Sequence, residues 1–326
     1  ADRWRASIGG LWQEGDERSD IDFDPPFTLT ADIELDHQAA FGYGAFDLTR
    51  ALTAQAGLSF DRVVVGEGEI EEFNPKIGAV WQPSPALQLR AAAFRTVARS
   101  SLIVERSLEP TTFAGFTQFE DDRVGAHGWA YGLGADARLS DTVVVGAEAV
   151  ARRYDVPLSE LDGTIFGDEA YRVDRVDAYA GWTPHPRWAF TVAPAFEQVF
   201  RQDASVGDFE PSVVKTLSAP VAARYFDPSG WFAELRADYL HQLVRRSEDQ
   251  PAALSGVENV VLLGARAGWR LPRRLGVVEV VGENLLGQDV RYQDRNFRSS
   301  NDESADRQAP RYISEPTLLV RVRLQW

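Results

Sequence analysis

The last nine residues of the chain, 318–326, alternate between apolar and polar side chains and end on an aromatic. The apolar set comprises Leu318, Val320, Val322, Leu324 and Trp326. The opposite set comprises Leu319, Arg321, Arg323 and Gln325. A period of two predicts a β-strand, because successive side chains of a strand point to opposite faces. A strand that is apolar on one face and carries two arginines on the other suits a wall between lipid and water.

The same period recurs along the chain, for example in residues 124–139, 230–242 and 256–270. These segments run about a dozen residues, whereas an average strand has about five to six. A tilted strand needs roughly 9–11 residues to cross a bilayer. We therefore expect membrane-spanning strands, with the apolar set of each strand facing lipid and the other set facing a lumen.

The connectors between these segments alternate between two lengths. Short connectors, several of them with Pro, Ser or Gly as turns commonly have, lie near residues 49–52, 82–86, 140–142, 183–187, 227–230 and 271–275. Long polar connectors cover residues 15–35, 66–71, 99–124, 156–169, 202–212, 246–255 and 292–311. Bacterial outer-membrane barrels join an even number of strands by short periplasmic turns and longer extracellular loops. The layout predicts an all-β fold, a transmembrane antiparallel up-and-down β-barrel of about 14 strands in which residues 1–326 form a single domain.

Three positions depart from this pattern. Pro194 and Pro220 fall inside predicted strands, where each removes a ladder hydrogen bond. The alternation also slips at residues 91–94, which predicts a β-bulge.

Composition excludes several classes of protein. No run of about 18 uncharged apolar residues is present, so we expect no transmembrane helix. The chain has no cysteine, which excludes disulfides and thiolate sites. Its formal net charge of -15 argues against nucleic-acid binding, which requires a basic surface, and solvation of exposed loops explains the acidity more simply. Methionine is absent even at position 1, so we expect a processed chain or a part of a longer one.

Tryptophans lie close to the proposed short turns. We predict that they form a membrane-interface girdle on the periplasmic side, because an indole ring prefers the boundary between apolar and wet layers. Its members are Trp81, Trp182, Trp188, Trp231, Trp269 and Trp326, with Trp4 near the N-terminus on the same side.

The faces opposite the apolar ones collect charges of both signs. The predicted lumen-lining residues are Asp136, Arg138, Glu148, Arg152, Arg175, Asp177, Arg224, Glu234, Arg236, Asp238, Arg266, Arg270, Glu279, Arg321 and Arg323. Oppositely charged side chains such as Glu234 and Arg266 are expected to pair across neighbouring strands. About fourteen strands leave a restricted pore, between side-chain-filled barrels of about eight strands and open ones of about 16–18. Two interpretations stay open: a salt-bridged lumen that only stabilises the wall, and a conducting pore whose arginines favour anions.

Motifs for catalysis or metal binding are absent or incomplete. Residues 20–24 resemble the start of a calcium loop, but Pro25 stands where that loop needs Gly and no Glu closes it. Residues 20–24 could still bind a cation weakly and bridge it to lipopolysaccharide. No nucleophile elbow and no Ser/His/acid set stands out. We therefore predict no enzyme, no cofactor and no metal, with a barrel-borne enzyme as the minor alternative.

Histidines and paired glycines carry no recognisable site either. The four histidines form no spaced pair on one predicted face, which disfavours metal ligation; they are His37, His127, His185 and His241. The glycine pairs lie within predicted strands instead of between a strand and a helix, so they are not nucleotide loops; they are Gly42 with Gly44 and Gly132 with Gly134.

Several short segments are more specific than a barrel requires. They read NPKIG at 74–78, LRAAAFRT at 89–96, LEPT at 108–111, AGFTQF at 114–119, ENLLGQ at 283–288 and YQD at 292–294. Together they resemble the C-terminal barrel of outer-membrane proteins that carry tetratricopeptide repeats in the periplasm. The ENLL stretch and the terminal strand are also similar to the end of TonB-dependent receptors. The resemblance covers most of the chain from residue 70 onward.

This resemblance implies a bacterial outer-membrane location and a barrel that acts as an export or uptake conduit beside a periplasmic docking platform. Its expected partners are outer-membrane lipids and lipopolysaccharide, periplasmic or surface proteins, and the outer-membrane insertion machinery, with no nucleic acid. Val322, Leu324 and Trp326 would form the insertion signal. A TonB-dependent receptor also has a plug domain, a TonB-contacting segment and about 22 strands, which this pattern lacks. No helical repeat of about 34 residues is found, so we expect any repeats upstream of Ala1 or on another chain.

We therefore predict a transport or secretion conduit within a larger cell-envelope assembly. Loops 99–124 and 292–311 would gate it, and Pro316 would mark where the last strand leaves the ladder. The alternative is a structural anchoring barrel with a blocked lumen that holds surface or periplasmic partners. A continuous channel would favour the conduit, and a filled lumen would favour the anchor. The tryptophan positions disfavour a soluble β-protein.

Overall fold

The computed structural model describes residues 3–23, 27–65, 68–99, 109–119, 122, 124–159, 165–201, 211–245, 255–290 and 315–324, with the side chains of 16–35, 65, 159, 165–166 and 274 excepted. Within these ranges the chain is all-β, apart from a 3-10 turn at Pro272–Arg274. The strands are β1 Trp4–Phe23, β2 Phe27–Asp47, β3 Leu52–Val65, β4 Gly68–Ser84, β5 Leu87–Val97, β6 Thr112–Phe113, β7 Phe116–Thr117, β8 His127–Ser140, β9 Val143–Ser159, β10 Ile165–His185, β11 Trp188–Val192, β12 Ala195–Arg201, β13 Val213–Phe226, β14 Trp231–Arg245, β15 Gly256–Leu271, β16 Gly276–Glu283 and β17 Thr317–Leu324.

Nearly all of these strands belong to one sheet in which each strand follows its sequence neighbour. The hydrogen-bonded order is β1-β2-β3-β4-β5-β8-β9-β10-β11-β13-β14-β15-β16-β17, and β12 pairs with β10 and β13. The described registers are antiparallel throughout. β6 and β7 form a separate hairpin. The predicted antiparallel, up-and-down arrangement of about fourteen strands is confirmed.

All six predicted short turns are present. They separate β2 from β3, β4 from β5, β8 from β9, β10 from β11, β13 from β14 and β15 from β16. In the turn before β14, the Asp227 carboxylate accepts hydrogen bonds from the Ser229 hydroxyl at 2.6 Å and the Ser229 backbone N–H at 2.9 Å. Gly230 follows with φ +102°, a conformation that favours glycine. The bonds from Ser229, with a third from Tyr225, lower the pKa of Asp227 below its ordinary value of 3.8.

Several predicted long connectors are shorter in the structure, because strands run through them. β1 and β2 continue through most of residues 15–35, β4 begins at Gly68, and β9 and β10 extend into 156–169. These segments are rich in charged residues, glycine and proline, which in a sequence is typical of a loop. The ladder is made by backbone groups, however, and continues through such residues. Around the last connector, residues 284–290 and 315–316 lie outside β16 and β17, although they were predicted to flank the connector as strand.

Proline interrupts one strand and is tolerated in another. Pro194 separates β11 from β12, while Pro220 lies inside β13 opposite Asp238. The bulge predicted at residues 91–94 is wrong, because β5 pairs there with β4 in continuous register. The irregularity lies instead between Trp81 and Ser84, at the turn that joins the two strands.

Large apolar side chains are exposed on one face of the strands in each part of the chain. Examples are Ile8, Phe73, Ile77, Leu133, Leu235, Leu318 and Val320. Leu235 is 55% exposed although it lies in the middle of β14, between the charged residues Glu234 and Arg236 on the opposite face. A monomeric soluble protein rarely exposes large apolar patches. Among the described residues, no helix is long and apolar enough to cross a membrane.

The chain divides into two compact units. Unit 1 comprises Ala1–Gly134 and Val150–Arg172, and unit 2 comprises Ala135–Ala149 and Val173–Trp326. A buried cluster of unit 1 contains Phe94, Phe113, Ala114, Phe116 and Ala130. A smaller one in unit 2 contains Leu240, Val260 and Val290.

Candidate functional site

The hairpin formed by β6 and β7, together with its flanking residues, is called the 109–119 hairpin here. Its apolar side chains are buried: Phe113 and Phe116 are 2% and 1% exposed. The two rings pack with Phe94 of β5 and Ala130 of β8, and the Phe113 and Phe94 ring centroids are 6.1 Å apart. The hairpin therefore covers one face of the strands in unit 1, which we call the covered face.

Glycines in the wall make room for the hairpin. A Cβ on Gly78 would lie 2.7 Å from the Ala114 Cβ, and one on Gly132 would lie 2.5 Å from the Phe116 ring. Both distances are far below ordinary van der Waals contact. Two polar contacts add to the fit: the Gln55 side chain accepts from the Ala114 N–H at 3.0 Å, and Arg90 donates to the Gly115 carbonyl at 2.8 Å. The glycines at positions 78 and 132 thus leave the space in which the hairpin packs.

A buried ionic cluster fixes the start of the hairpin. The Arg99 Nη2 lies 2.6 Å from the Asp61 Oδ1 on β3 and 2.6 Å from the Glu109 Oε2 on the hairpin. All three side chains are at most 1% exposed. Arg99 therefore joins the wall to the hairpin through two carboxylates. Burial opposes its charge, but Asp61 and Glu109 outweigh that effect and raise the pKa of the guanidinium above its ordinary value.

Neutral groups and a histidine complete this cluster. The Asn74 side chain donates to Asp61 at 2.9 Å, and the His37 Nε2 lies 3.0 Å from the other Asp61 oxygen. The Tyr43 hydroxyl donates to Glu109, which ties β2 to the hairpin. Buried charges are stable only when they are paired and hydrogen-bonded, and this cluster meets both conditions.

None of these residues was predicted as a site from their chemistry. His37 and Tyr43 of β2, Asp61 of β3 and Asn74 of β4 lie at alternating strand positions, so they have the period of a strand and no recognisable motif. The available signal was the set of unusual segments at 74–78, 89–96 and 108–119. The structure brings residues of all three together: Asn74 and Lys76 from the first, Phe94 and Arg95 from the second, and Glu109 and Phe116 from the third. The Lys76 Nζ donates to the Arg95 carbonyl at 2.9 Å.

Five of the predicted lumen-lining residues form one network in unit 2, on a surface that we call the charged face. Arg224 pairs with Glu234, and Arg266 donates to Glu234 at 3.0 Å, so the expected pairing of Glu234 with Arg266 is present. Glu279 lies 3.8 Å from Arg266 and accepts from Arg321 at 3.1 Å. The network crosses β13 to β17, because these residues lie near each other in the register of neighbouring strands.

Several other predicted residues form pairs outside this network. Arg236 donates to Asp238 at 2.8 Å and Arg175 to Asp177 at 2.6 Å, each across two positions of one strand. Asp136 accepts from the Tyr179 hydroxyl at 2.8 Å. In unit 1, Arg152 pairs with Asp122 and lies over the Tyr154 ring. Glu148 is half-buried on β9, and Arg138 is exposed near the end of β8.

Arg270 and Arg323 differ from the rest of the charged face. The Arg270 guanidinium carbon lies 5.4 Å from the Phe226 ring centroid and 5.9 Å from that of Phe232. Neither arginine has a carboxylate partner in the described part of the chain. In the described part of the chain, Arg270 thus makes cation–π contacts and no ion pair.

The described tryptophans of the predicted girdle lie within a few residues of strand ends: Trp81, Trp182, Trp188 and Trp231 are exposed, and Trp269 is half-buried. Trp231 and Trp269 are opposite each other in the register and stack with centroids 6.0 Å apart. Trp188 stacks on Phe190 at 5.9 Å, and Phe190 also contacts Trp182. Trp81 is 47% exposed. The membrane-interface role of these rings stays a prediction.

Some sequence predictions fall outside the described residues. Trp326, the last member of the predicted insertion signal, is one of them, while Val322 and Leu324 are exposed on β17. The side chains of the calcium-like segment 20–24 and the loop 292–311 are also outside. Within the described ranges, no three His, Cys, Asp or Glu side chains are grouped so that they would hold a metal ion.

Comparison with known proteins relates the fold to transport proteins. No protein-family model and no curated protein matches the sequence. The solved structure of the copper transporter OprC aligns with a TM-score of 0.64 and 12% identity over 93% of this chain. The ferric yersiniabactin uptake receptor FyuA from Yersinia pestis aligns at 0.63 with 15% identity over 92%. The ferric citrate transporter FecA aligns at 0.61 with 12% identity over 92%.

These matches establish the fold class. The chain is an all-β antiparallel sheet that matches the barrels of TonB-dependent receptors. It covers 54% of OprC and 49% of both FyuA and FecA, and so spans about half the length of the structures it matches. Identities of 12–15% relate the folds alone. The association with tetratricopeptide repeats stays a prediction.

Proposed function

We propose that this chain forms a bacterial outer-membrane β-barrel that acts as a conduit for transport or secretion. The observation that carries the proposal is the division of its strands into an exposed apolar face and a charged face, within a fold that matches receptor and transporter barrels. Lipid accepts only apolar side chains and closed backbone hydrogen bonding, whereas a water-filled interior accepts charge. The charged face and the covered face would then be luminal, and the tryptophans would lie at the periplasmic interface.

The 109–119 hairpin would narrow this conduit from within. The apolar cluster, the close packing on Gly78 and Gly132, and the ionic cluster at Arg99 hold the hairpin against the strands. The hairpin is therefore an integral part of the fold. Solute would pass along the charged face of unit 2, where ion pairs leave a cationic excess at Arg270 and Arg323. The hairpin would thus limit the size of the solutes that pass. The two arginines would select the charge of those solutes.

The conduit would serve a larger cell-envelope assembly. Periplasmic repeats on an adjoining segment or chain would dock partners, as the sequence resemblance implies. Val322, Leu324 and Trp326 would present the terminal strand to the insertion machinery, and the exposed apolar faces would contact lipid and lipopolysaccharide. We propose no enzymatic activity, in line with the transporters and receptors that share the fold.

One observation favours a second candidate function, a non-conducting anchoring barrel. Phe116 and Glu109 are almost completely buried, and the hairpin is joined to the wall at both ends of its sequence. A permanently filled lumen would leave the barrel as a support for partner proteins. The two candidates differ in whether releasing the hairpin opens a passage.

Conductance of the purified chain in a planar bilayer tests the proposal. Phe116→Asp places a charge in the apolar cluster and is expected to expel the hairpin, because an unpaired buried charge is costly. Thr117→Asp makes the same change at an exposed position of the hairpin and serves as the matched control. We expect a small conductance in the parent chain and in Thr117→Asp, and a several-fold larger one in Phe116→Asp. Heat-modifiable gel migration verifies that each variant is folded.

The outcomes separate the two functions. Folded variants that all insert without conducting would support the anchoring barrel and contradict the conduit. A conductance that is the same in all three would leave a conduit but remove the hairpin as its constriction.

A further inference from the structure

Arg270 and Arg323 flank one apolar position on the charged face of unit 2. Arg270 of β15 lies opposite Val277 of β16, and Val277 lies opposite Arg323 of β17. Two strand spacings separate the Cα atoms of the two arginines by about 9–10 Å. Valine neutralises neither charge, so two cationic residues flank an uncharged strand position.

Arg270 is held in place by aromatic rings. Phe226 and Phe232 lie opposite each other in the register of β13 and β14, and the guanidinium carbon is 5.4 Å and 5.9 Å from their centroids. A ring that attracts the guanidinium by cation–π interaction leaves its N–H groups unused. Arg270 is therefore oriented without being neutralised.

These residues line a cavity of about 260 Å³. Its charged lining consists of Arg266, Arg270, Arg321, Arg323 and a single acid, Glu279. The Glu279 carboxylate is engaged by Arg321 at 3.1 Å and Arg266 at 3.8 Å. A cationic excess therefore collects here in a chain whose formal net charge is -15. Chance placement of arginines on an acidic protein would favour carboxylate partners for all of them.

We propose that this cavity binds an anion that carries two or more carboxylate or phosphate groups, bridging Arg270 and Arg323. The planar guanidinium fork matches both groups in bidentate geometry. The two arginines stand about 9–10 Å apart at their Cα atoms, which suits a ligand with two charged ends better than a monovalent one. The cavity lies where β13 and β15 approach their short turns. The site would thus stand at the periplasmic mouth and select anionic solutes, a placement that rests on the proposed conduit function.

Calorimetric titration of the purified full chain in non-ionic detergent, at fixed ionic strength, tests binding directly. Citrate is the carboxylate probe, pyrophosphate the phosphate probe and sucrose the uncharged control. We expect saturable binding of citrate, pyrophosphate or both, and none of sucrose. Arg323→Gln removes an exposed side chain that has no described partner, so it leaves the fold intact and should weaken binding by about tenfold or more. Arg270→Lys retains the charge over the rings but removes the fork, and should also weaken binding.

Arg236→Gln is the matched control, because Arg236 lies on the same charged face but is already paired with Asp238 at 2.8 Å. Unchanged affinity in this variant supports a specific site, while an equal loss would reduce the effect to bulk charge and overturn the proposal. Absence of saturable binding of both anions would also overturn it. Conductance tests the conduit separately. Anion binding by a chain that never conducts would support the site and contradict the conduit. Conductance without anion binding would support the conduit and contradict the site.

Discussion

Gly132 of β8 lies directly against the Phe116 ring of the 109–119 hairpin, so close that a Cβ at this position would be 2.5 Å from the ring. Gly132→Ala should therefore displace the hairpin or strain the wall. We expect a loss of about 1–3 kcal/mol in the free energy of unfolding, as in other overpacked cores. Faster proteolysis within 109–119 should accompany it. Urea titration in lipid vesicles and limited proteolysis measure the two effects.

Gly42→Ala is the control for this change. Gly42 also lies within a strand, but nothing stands within 4 Å of the place where its Cβ would be. Its unfolding free energy and proteolysis pattern should stay close to those of the parent chain. Equal losses in both variants would mean that glycine flexibility matters here, and not the space under the hairpin.

Arg99→Ala should destabilise the chain by about 3–5 kcal/mol, because it leaves the buried carboxylates of Asp61 and Glu109 without their cation. Arg62→Ala breaks an ion pair with Glu69 that is partly exposed, at 34% for Arg62, and should cost about 1 kcal/mol or less. Urea unfolding of both variants makes the comparison. A similar cost for the two would show that the Arg99 cluster contributes no more than a surface pair.

Asp227 gives the chain an acid-sensitive turn. Its pKa is lowered by the hydrogen bonds from Ser229 and Tyr225, so its contribution to stability is fully present above the ordinary value of 3.8 and is lost as the pH falls through the lower, folded-state value. The difference in unfolding free energy between the parent chain and Asp227→Ala should therefore be largest at neutral pH and shrink in acid. A difference that stays constant or grows on acidification would contradict this assignment. Unfolding titrations across the acid range provide the measurement.

Leu235 tests the proposed lipid face. Trp231 would mark one membrane boundary, and a strand crosses in roughly 9–11 residues, which places Leu235 near the midplane. Leu235→Arg should cost about 2–4 kcal/mol in a bilayer. Gly264→Arg introduces the same side chain on the charged face of the adjacent strand, opposite Arg236, and should be tolerated far better. Urea titrations in lipid vesicles compare the two, and equal tolerance would overturn the assignment of faces.

The wall of the fold is predictable from local patterns. Alternation with a period of two locates the strands. Asp227 and Gly230 locate a turn, because an Asp side chain bonds to nearby backbone groups and Gly adopts positive φ readily. Trp231 and Trp269 lie opposite each other, and the alternation places both on the same face of neighbouring strands. The pairing of Glu234 with Arg266 follows from the same register.

The hairpin is not predictable in this way, because its contacts join residues that are far apart in sequence. Tyr43 and Glu109 are separated by 66 positions, and Gln55 and Ala114 by 59. No local period indicates that Glu109 returns to the wall, and a polar segment between two strands is typical of an external loop. The extent of β1 and β2 was missed because the sequence between them is rich in acidic residues and contains Pro25 and Pro26, a composition typical of loops.

The partners of the 109–119 hairpin constrain the order in which the protein assembles. Tyr43, Asp61, Phe94 and Arg99 precede the hairpin along the chain, and Ala130 follows it closely. Every one of these contacts is therefore available once the first eight strands have been synthesised. A segment that carries a buried acid must reach its cation before the surrounding wall excludes water. The early strands would thus bind the hairpin first, and the strands from β9 to β17 would be added after these buried contacts have formed.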